Sequence, residues 1–117
     1  MSLRLMSIRE VGNVTIVDLS GRLVFGEETM ALRETVTKTL EQGKKNILLN
    51  MEDVSFIDST GVGQLISCYV TAKNRTANLK LLYGPKKIVR DVLHMTQLDT
   101  ILPSFNDEKT AVSSFSH

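Results

Sequence analysis

The sequence is poor in residues that form disulfides and metal sites. It contains one cysteine, Cys68, and two widely separated histidines, His94 and His117. A single cysteine cannot form a disulfide within the chain, and zinc sites need three or four ligands at characteristic spacings. We therefore expect no metal site, and no residue pattern indicates a cofactor.

Tryptophan is absent, aromatic residues make up 5% of the chain, and 14 Lys and Arg against 13 Asp and Glu leave a net charge of +1. Domains that bind nucleic acid are usually basic and carry aromatic side chains for stacking. No apolar run approaches the roughly 20 residues that span a bilayer, and Met1 to Ser7 is not apolar enough for a secretory signal. We expect a cytoplasmic protein with no direct nucleic-acid partner and no membrane insertion.

No internal repeat and no Pro-, Gly- or Ser-rich linker divides the chain. Hydrophobic residues make up 42% and charged residues 23%, which is ordinary for a globular domain. A chain of 117 residues buries about two-thirds of its surface, which is enough for one core. We expect a single domain over residues 1–117.

Apolar patterning in the first half predicts two strands, a helix and a third strand. Leu3 to Val11 favours an edge strand, and the turn signal Gly12-Asn13 joins it to a second strand in a hairpin. Apolar residues recur every four positions from Glu27 to Glu41, which indicates a helix. The run Ile47 to Leu49 lacks polar alternation and predicts a central strand covered on both faces. We interpret Met51 to Asp58 as a connector.

The second half continues the alternation of helices and strands. We expect, in order, a helix ending near Asn74, a strand from Leu79 to Tyr83, a helix opened by Gly84-Pro85, a short strand at Ile101-Leu102 and a helix begun by Asp107-Glu108. The apolar residues assigned to the buried face of the third helix are Ile88, Val89, Val92 and Leu93. The order β-β-α-β-α-β-α-(β)-α predicts an α/β domain with about four helices on a mixed four- to five-stranded sheet.

The most unusual segment runs from Phe56 to Gly63 and joins a strand to a helix. Asp58 and Ser59 are good N-cap residues, so the simplest interpretation is a helix cap. Gly61 and Gly63, however, each cost roughly 1 kcal/mol relative to Ala in a helix. Two such glycines suggest a backbone surface that a partner approaches closely. Loops at the carboxyl edge of a parallel sheet are also where α/β domains place their sites.

A hydroxyl at a helix N-terminus can accept a phosphate without unfolding the helix. The added charge of about −1.5 to −2 faces unpaired N–H groups and the positive end of the helix dipole. What changes is the outer surface, which gains charge beside Asp58. This arrangement favours a binding switch over an unfolding switch.

The sequence carries no catalytic pattern. In Asp58-Ser59-Thr60-Gly61 an extra residue separates Asp from the Thr-Gly of aspartic proteases, and Ser59 does not stand in a Gly-x-Ser-x-Gly elbow. We expect His94 to be a structural or surface histidine and Cys68 to be a buried apolar side chain. No catalytic residue is assigned, and we do not expect an enzyme.

Residues 59–90 contain no Asp or Glu but six basic side chains, namely Lys73, Arg75, Lys80, Lys86, Lys87 and Arg90. Charged runs usually belong to solvated helix faces and strand ends. The alternative is a basic flank that steers an acidic partner toward the domain.

The chain resembles the STAS domain family, and within it the stand-alone anti-sigma-factor antagonists of bacteria. The resemblance spans residues 6–115. It is carried by five segments: Leu19 to Leu23, Leu48 to Asn50, Val54 to Gly63 together with Leu65, Leu79 to Leu81, and Thr96 to Asp99. It implies an α/β STAS fold and binding of an anti-sigma factor that is also a serine kinase, which frees the sigma factor. The kinase would phosphorylate Ser59 and thereby release the complex, until a serine phosphatase removes the phosphate. The contact residues that the resemblance implies are Asp58, Ser59, Thr60, Gly61, Val62 and Gly63.

One position departs from this pattern. Such antagonists often carry an acidic residue after the Gly-x-Leu of the second strand, where this sequence has Val24. Val24 and Phe25 would instead form an apolar contact patch for a partner. The alternative function is therefore a STAS-type scaffold that binds its partner constitutively in a signalling or lipid-transport assembly. The intact Asp58-Ser59 pair favours the switch, and Val24 favours the scaffold.

Overall fold

The computed structural model describes residues 5–24 and 27–115, which form a five-stranded sheet in the order β1-β2-β3-β4-β5. The strands are β1 (Leu5–Val11), β2 (Val14–Leu23), β3 (Asn46–Ile57), β4 (Asn78–Leu82) and β5 (Ser104–Phe105). The helices are α1 (Glu27–Glu41), α2 (Ser59–Asn74), α3 (Lys87–Met95), α4 (Leu98–Ile101) and α5 (Glu108–Ser113). β1 is antiparallel to β2 and every other pairing is parallel, so the predicted mixed α/β sheet is confirmed. The start of the predicted first strand, Leu3, lies outside the described residues.

The central strand β3 is covered on both faces, as its apolar run predicts. Ile47, Leu48 and Leu49 are all fully buried. Because side chains alternate along a strand, Ile47 and Leu49 join the core beneath the first four helices. Leu48 joins a smaller cluster on the opposite face with Ala111 and Phe115. α5 therefore closes the face that the other helices leave open.

The interpretation of Met51 to Asp58 as a connector is wrong, because β3 continues to Ile57. β2 extends alongside it, and its last residue Leu23 pairs with Ile57. The register of this pairing shifts twice, between Asp18 and Ser20 and again between Gly21 and Arg22. Such irregularities break the strict two-residue period by which a strand is recognised in a sequence.

The predicted strand at Ile101-Leu102 is also wrong. Ile101 ends the short helix α4, and the N–H of Leu102 donates to the carbonyl of Leu98 at 2.9 Å. Pairing with β4 begins one residue later, where the carbonyl of Pro103 accepts from the N–H of Leu81 at 2.9 Å. The fold consequently has five helices in the described residues instead of about four.

α3 begins at Lys87, two residues later than the Gly84-Pro85 signal suggested. Gly84 lies instead in a turn at φ 71°, packed against Glu52. Val89 and Leu93 form the buried stripe, whereas Ile88 is 45% exposed, contrary to its assignment to the buried face. Consecutive helical residues are about 100° apart, so Ile88 turns away from the line that Val89 and Leu93 define.

A charged network holds α5 to the sheet. The Arg9 guanidinium on β1 donates to the Asp18 carboxylate at 2.7 and 3.1 Å and to the Glu108 carboxylate at 2.5 and 3.0 Å. The Asn50 amide donates to Asp18 at 2.7 Å. Burial alone would raise the pKa of Asp18, but the hydrogen bonds from Arg9 and Asn50 outweigh it and lower that pKa. The hydrogen bond from Arg9 likewise lowers the pKa of Glu108.

This network makes the fold sensitive to acid. Both carboxyl pKa values lie below their unfolded values of about 3.9 and 4.3. The contribution of these two carboxylates to the free energy of unfolding is therefore complete above about pH 5. It is lost as the pH falls through their pKa values in the folded protein. We expect Arg9→Met to lower the free energy of unfolding by about 1–2 kcal/mol at pH 7, a figure limited by partial exposure. The loss should shrink toward pH 3.

Urea denaturation at both pH values measures this difference. The control is Arg75→Met, because Arg75 reaches Glu41 only at 4.0 Å on the surface and should cost less than about 0.5 kcal/mol. A loss for Arg9→Met that stays the same at pH 7 and pH 3 contradicts the role of the two carboxylates.

Candidate functional site

The helix α2 starts where β3 ends because Asp58 caps it. Asp58 has extended backbone angles, and its carboxylate accepts from the N–H of Gly61 at 2.9 Å. Its carbonyl accepts the first helical hydrogen bond, from Val62 at 3.0 Å. The cap interpretation is therefore confirmed for Asp58, and Ser59 becomes the first residue of the helix.

Ser59 is exposed at this helix entrance, and its neighbour Thr60 is half-buried. First-turn N–H groups have no acceptor within a helix. Among the described residues, the N–H groups of Ser59 and Thr60 donate to no protein acceptor. Together with the helix dipole they create a positive potential near the Ser59 hydroxyl. α2 carries no acidic residue in its first turn.

The two glycines of the segment have different environments. A Cβ on Gly61 would collide with the carbonyl oxygen of Leu23 and would lie 3.0 Å from a methyl carbon of Ile57. That carbonyl also accepts from the N–H of Asp58 at 3.3 Å. The backbone that approaches Gly61 is therefore the end of the chain's own strand β2. Gly63 is exposed, and no described atom lies within 4 Å of the place that a Cβ would take there.

The remaining contact residues inferred from the sequence differ in how far they are buried. Val62 is only 9% exposed and belongs to the core. Val24 is half-buried and directly follows Leu23, whose carbonyl touches the start of α2, so Val24 lies beside the helix entrance. Phe25, its expected partner in an apolar patch, lies outside the described residues. Three of the predicted contact residues are therefore accessible to a partner at the helix entrance, namely Ser59, Gly63 and Val24. The other two, Gly61 and Val62, are buried.

Sequence reasoning missed a stacked pair beside this edge. Arg22 and Phe56 are cross-strand partners, and the guanidinium carbon of Arg22 lies 5.3 Å from the centre of the Phe56 ring. Arg22 is exposed, and Phe56 retains 39% exposure despite its apolar ring. Each residue stands one position before the end of its strand, but only the shifted register brings them together.

Two of the six basic residues are held by neighbouring groups of the protein. The Lys80 ammonium donates to the carbonyl of Ser114 at 2.9 Å and lies 4.5 Å from the Phe115 ring centre. Lys87 pairs with Asp91 at 2.7 Å. These contacts fit the interpretation as ordinary helix faces and strand ends.

The two residues considered for catalysis lie away from this edge. Cys68 is 1% exposed, and burial raises the pKa of its thiol to about 12, so it behaves as a buried apolar side chain. His94 is exposed, 3.6 Å from Asp99, beside a cleft of about 510 Å³ between α3 and α4. Within residues 5–24 and 27–115, no three His, Cys, Asp or Glu side chains are grouped to hold a metal ion. No helix in that part of the chain is long and apolar enough to cross a bilayer.

A strand end, a capping Asp, an exposed Ser and a Gly-packed helix thus come together at this edge. The STAS domain family matches residues 6–111, and the chain belongs to this family.

Similar proteins include free-standing domains and segments of transporters. An anti-sigma factor antagonist of Mycobacterium paratuberculosis is 19% identical, with a TM-score of 0.81 over 97% of this chain and 93% of that one. The antagonist SpoIIAA has TM-scores of 0.76 unphosphorylated and 0.70 phosphorylated, at 23% and 22% identity. Those matches cover 95% of this chain and 96% and 99% of SpoIIAA, respectively. At such identities the likeness shows the fold.

A mouse (Mus musculus) anion exchange transporter is 27% identical over 81 residues, which are 69% of this chain. The chain spans 12% of the length of that transporter. A segment similar to this chain therefore lies within a much longer protein.

The unequal glycines give a test of how the helix entrance is built. We expect Gly61→Ala to lower the free energy of unfolding by about 2 kcal/mol or more, because a methyl group has no room beside the Leu23 carbonyl. Gly63→Ala should instead raise it by up to about 1 kcal/mol, since Ala favours the helix and the space is open. Urea denaturation of both variants measures whether each one lowers or raises the free energy of unfolding. Equal effects would refute the close approach of α2 to β2.

Proposed function

We propose that this protein is an anti-sigma-factor antagonist that binds a serine-kinase anti-sigma factor and is switched off by phosphorylation of Ser59. The observation that carries the proposal is the exposed Ser59 at the first position of α2, directly after the capping Asp58. A kinase can reach this hydroxyl without unfolding the domain. The protein acts by binding and carries out no catalysis of its own.

The helix entrance would tolerate the phosphate. The N–H groups of Ser59 and Thr60, which have no acceptor among the described residues, can donate to its oxygens, and the dipole of a 16-residue helix favours the negative charge. A charge at a helix N-terminus is worth about 0.3–1 kcal/mol in this geometry. The modification should therefore leave the fold intact and alter only what the surface can bind.

The unmodified surface is suited to close contact. Gly63 presents bare backbone one turn along the helix from Ser59, and Val24 adds an apolar side chain beside the entrance. A partner packed on these residues excludes water from the Ser59 hydroxyl. A phosphate with a charge of about −1.5 to −2 in the same position would lose its hydration, and it would also lie next to the negative Asp58. Binding to the partner is therefore lost on phosphorylation.

The relatives support this proposal. SpoIIAA is an anti-sigma factor antagonist that exists in unphosphorylated and phosphorylated forms. By analogy, a serine phosphatase would restore the binding form of this chain, and the exchange of partners would take place in the cytoplasm.

Phosphorylation is tested directly with the cognate serine-kinase anti-sigma factor, Mg²⁺ and ATP. We expect mass spectrometry to place a single phosphate on Ser59, because this hydroxyl is exposed at a helix start. Ser55, also exposed, donates to the Gly21 carbonyl at 3.2 Å on a strand and serves as the internal control. Phosphate on Ser55 or Thr60 in place of Ser59, or no phosphate, contradicts the assignment.

The switch itself is tested by binding of two matched charge variants. We expect Ser59→Asp to weaken the complex with the kinase at least tenfold, a loss of about 1.4 kcal/mol. Ser55→Asp adds the same charge nearby and should change binding much less. Isothermal titration calorimetry measures both, and thermal unfolding should show nearly unchanged melting temperatures. Weak binding caused by unfolding of Ser59→Asp would count against the switch.

A second candidate is a STAS scaffold that binds constitutively within a larger assembly. Val24, which stands in place of an acidic residue, and the likeness to a transporter segment favour it. In that case both charge variants would retain or lose binding together, and no kinase would modify Ser59.

A further inference from the structure

The strand β1 leaves one whole edge of the sheet unpaired in the described residues. The sheet order places β1 and β5 at the two edges, but β5 has only two residues whereas β1 has seven. β1 contains no proline, which would block pairing along its outer side. An open edge of this length is a template for another strand.

The hairpin determines which backbone groups of β1 point outward. β1 and β2 are joined by a two-residue turn, and Val11 pairs directly with Val14. The residues that flank such a turn exchange hydrogen bonds with each other, and bonded and non-bonded pairs then alternate along the ladder. Val11, Arg9 and Ser7 therefore bond to β2, while the N–H and C=O groups of Met6, Ile8 and Glu10 face outward. This gives six backbone groups for a neighbouring strand.

We propose that a second copy of this chain pairs antiparallel with β1 about a twofold axis at Ile8, so that the two sheets join into one of ten strands. In this register, Ile8 lies opposite Ile8 of the other copy, and Met6 of each copy lies opposite Glu10 of the other. All six outward groups of each strand then find partners, because residues 6, 8 and 10 are symmetric about the axis.

The side chain at the axis supports a second copy as the occupant. Ile8 is 54% exposed although it lies on the same face of the sheet as its buried partner Val17. Charged side chains commonly protect an open edge. Here the charged outward-facing residue, Glu10, lies toward one end of β1, and the central residue is apolar. The charged Arg9 points to the other face, where Asp18 and Glu108 hold it. Pairing would bury the two Ile8 side chains against each other.

The dimer would leave the helix entrance open. Ile8 is level with Val17, and Leu23 is level with Ile57, immediately before the start of α2. Six residues along a strand cover roughly 20 Å, and two strand spacings separate the sites sideways. The proposed pairing therefore stands independently of the proposed function.

Cysteine cross-linking tests the register, because the native Cys68 is buried and its thiol resists ionisation. In Ile8→Cys the two new thiols face each other across the axis, where paired Cα atoms are about 5.5 Å apart, within disulfide range. In the control Glu10→Cys, the two new cysteines are four residues out of register. Their Cα atoms are then about 14 Å apart, which is beyond disulfide range. We expect mild oxidation to yield a covalent dimer of Ile8→Cys and little of Glu10→Cys. Equal cross-linking of both variants, or none of either, overturns the proposal.

The mass of the unmodified chain in solution provides an independent test. We expect analytical ultracentrifugation to show twice 13.0 kDa at high concentration. Ile8→Lys places like charges opposite each other and should weaken the dimer at least about tenfold without changing the circular dichroism. An unmodified chain that stays monomeric up to about 1 mM, well above the affinity of a specific dimer, overturns it.

Discussion

The close approach of α2 to the end of β2 is the contact on which the surface at Ser59 depends. Gly61 allows it, since any larger residue would collide with the Leu23 carbonyl. The same carbonyl accepts from the N–H of Asp58, so one oxygen atom locates both the cap and the first turn. Ser59 is exposed between Asp58, which caps the helix, and Gly61, which packs on the Leu23 carbonyl.

Charge is used differently at the two ends of the sheet. Near α5, Arg9 brings together the carboxylates of Asp18 and Glu108 and lowers both pKa values. At the helix entrance, the Asp58 carboxylate binds a backbone N–H. The first arrangement holds a helix in place. The second arrangement leaves the first turn of α2 without an acidic residue, so one added phosphate is a large change of charge there.

Regular elements could be predicted from the sequence because their patterns are periodic. The helix from Glu27 to Glu41 agrees with α1 at both ends, and the buried run at Ile47 marks the central strand. The extension of β3 could not be predicted, because register shifts disrupt its alternation. α4 was missed because a single turn of four residues carries too little periodicity. A glycine is needed at position 61 because the Leu23 carbonyl lies against it. Leu23 is distant in the chain, so a local sequence pattern does not reveal this contact.

The far ends of β2 and β3 form a two-stranded ribbon. β4 stops level with Asn50, and β1 begins level with Ser20, so within the described residues β3 beyond Asn50 pairs with β2 alone. Interior strands pair on both sides, whereas this ribbon has one ladder and is held otherwise by packing against α2 and against Gly84. Amide hydrogens there should exchange with solvent through local opening events that leave the rest of the sheet closed. The helix entrance thus follows the part of β3 that has a strand partner on one side only.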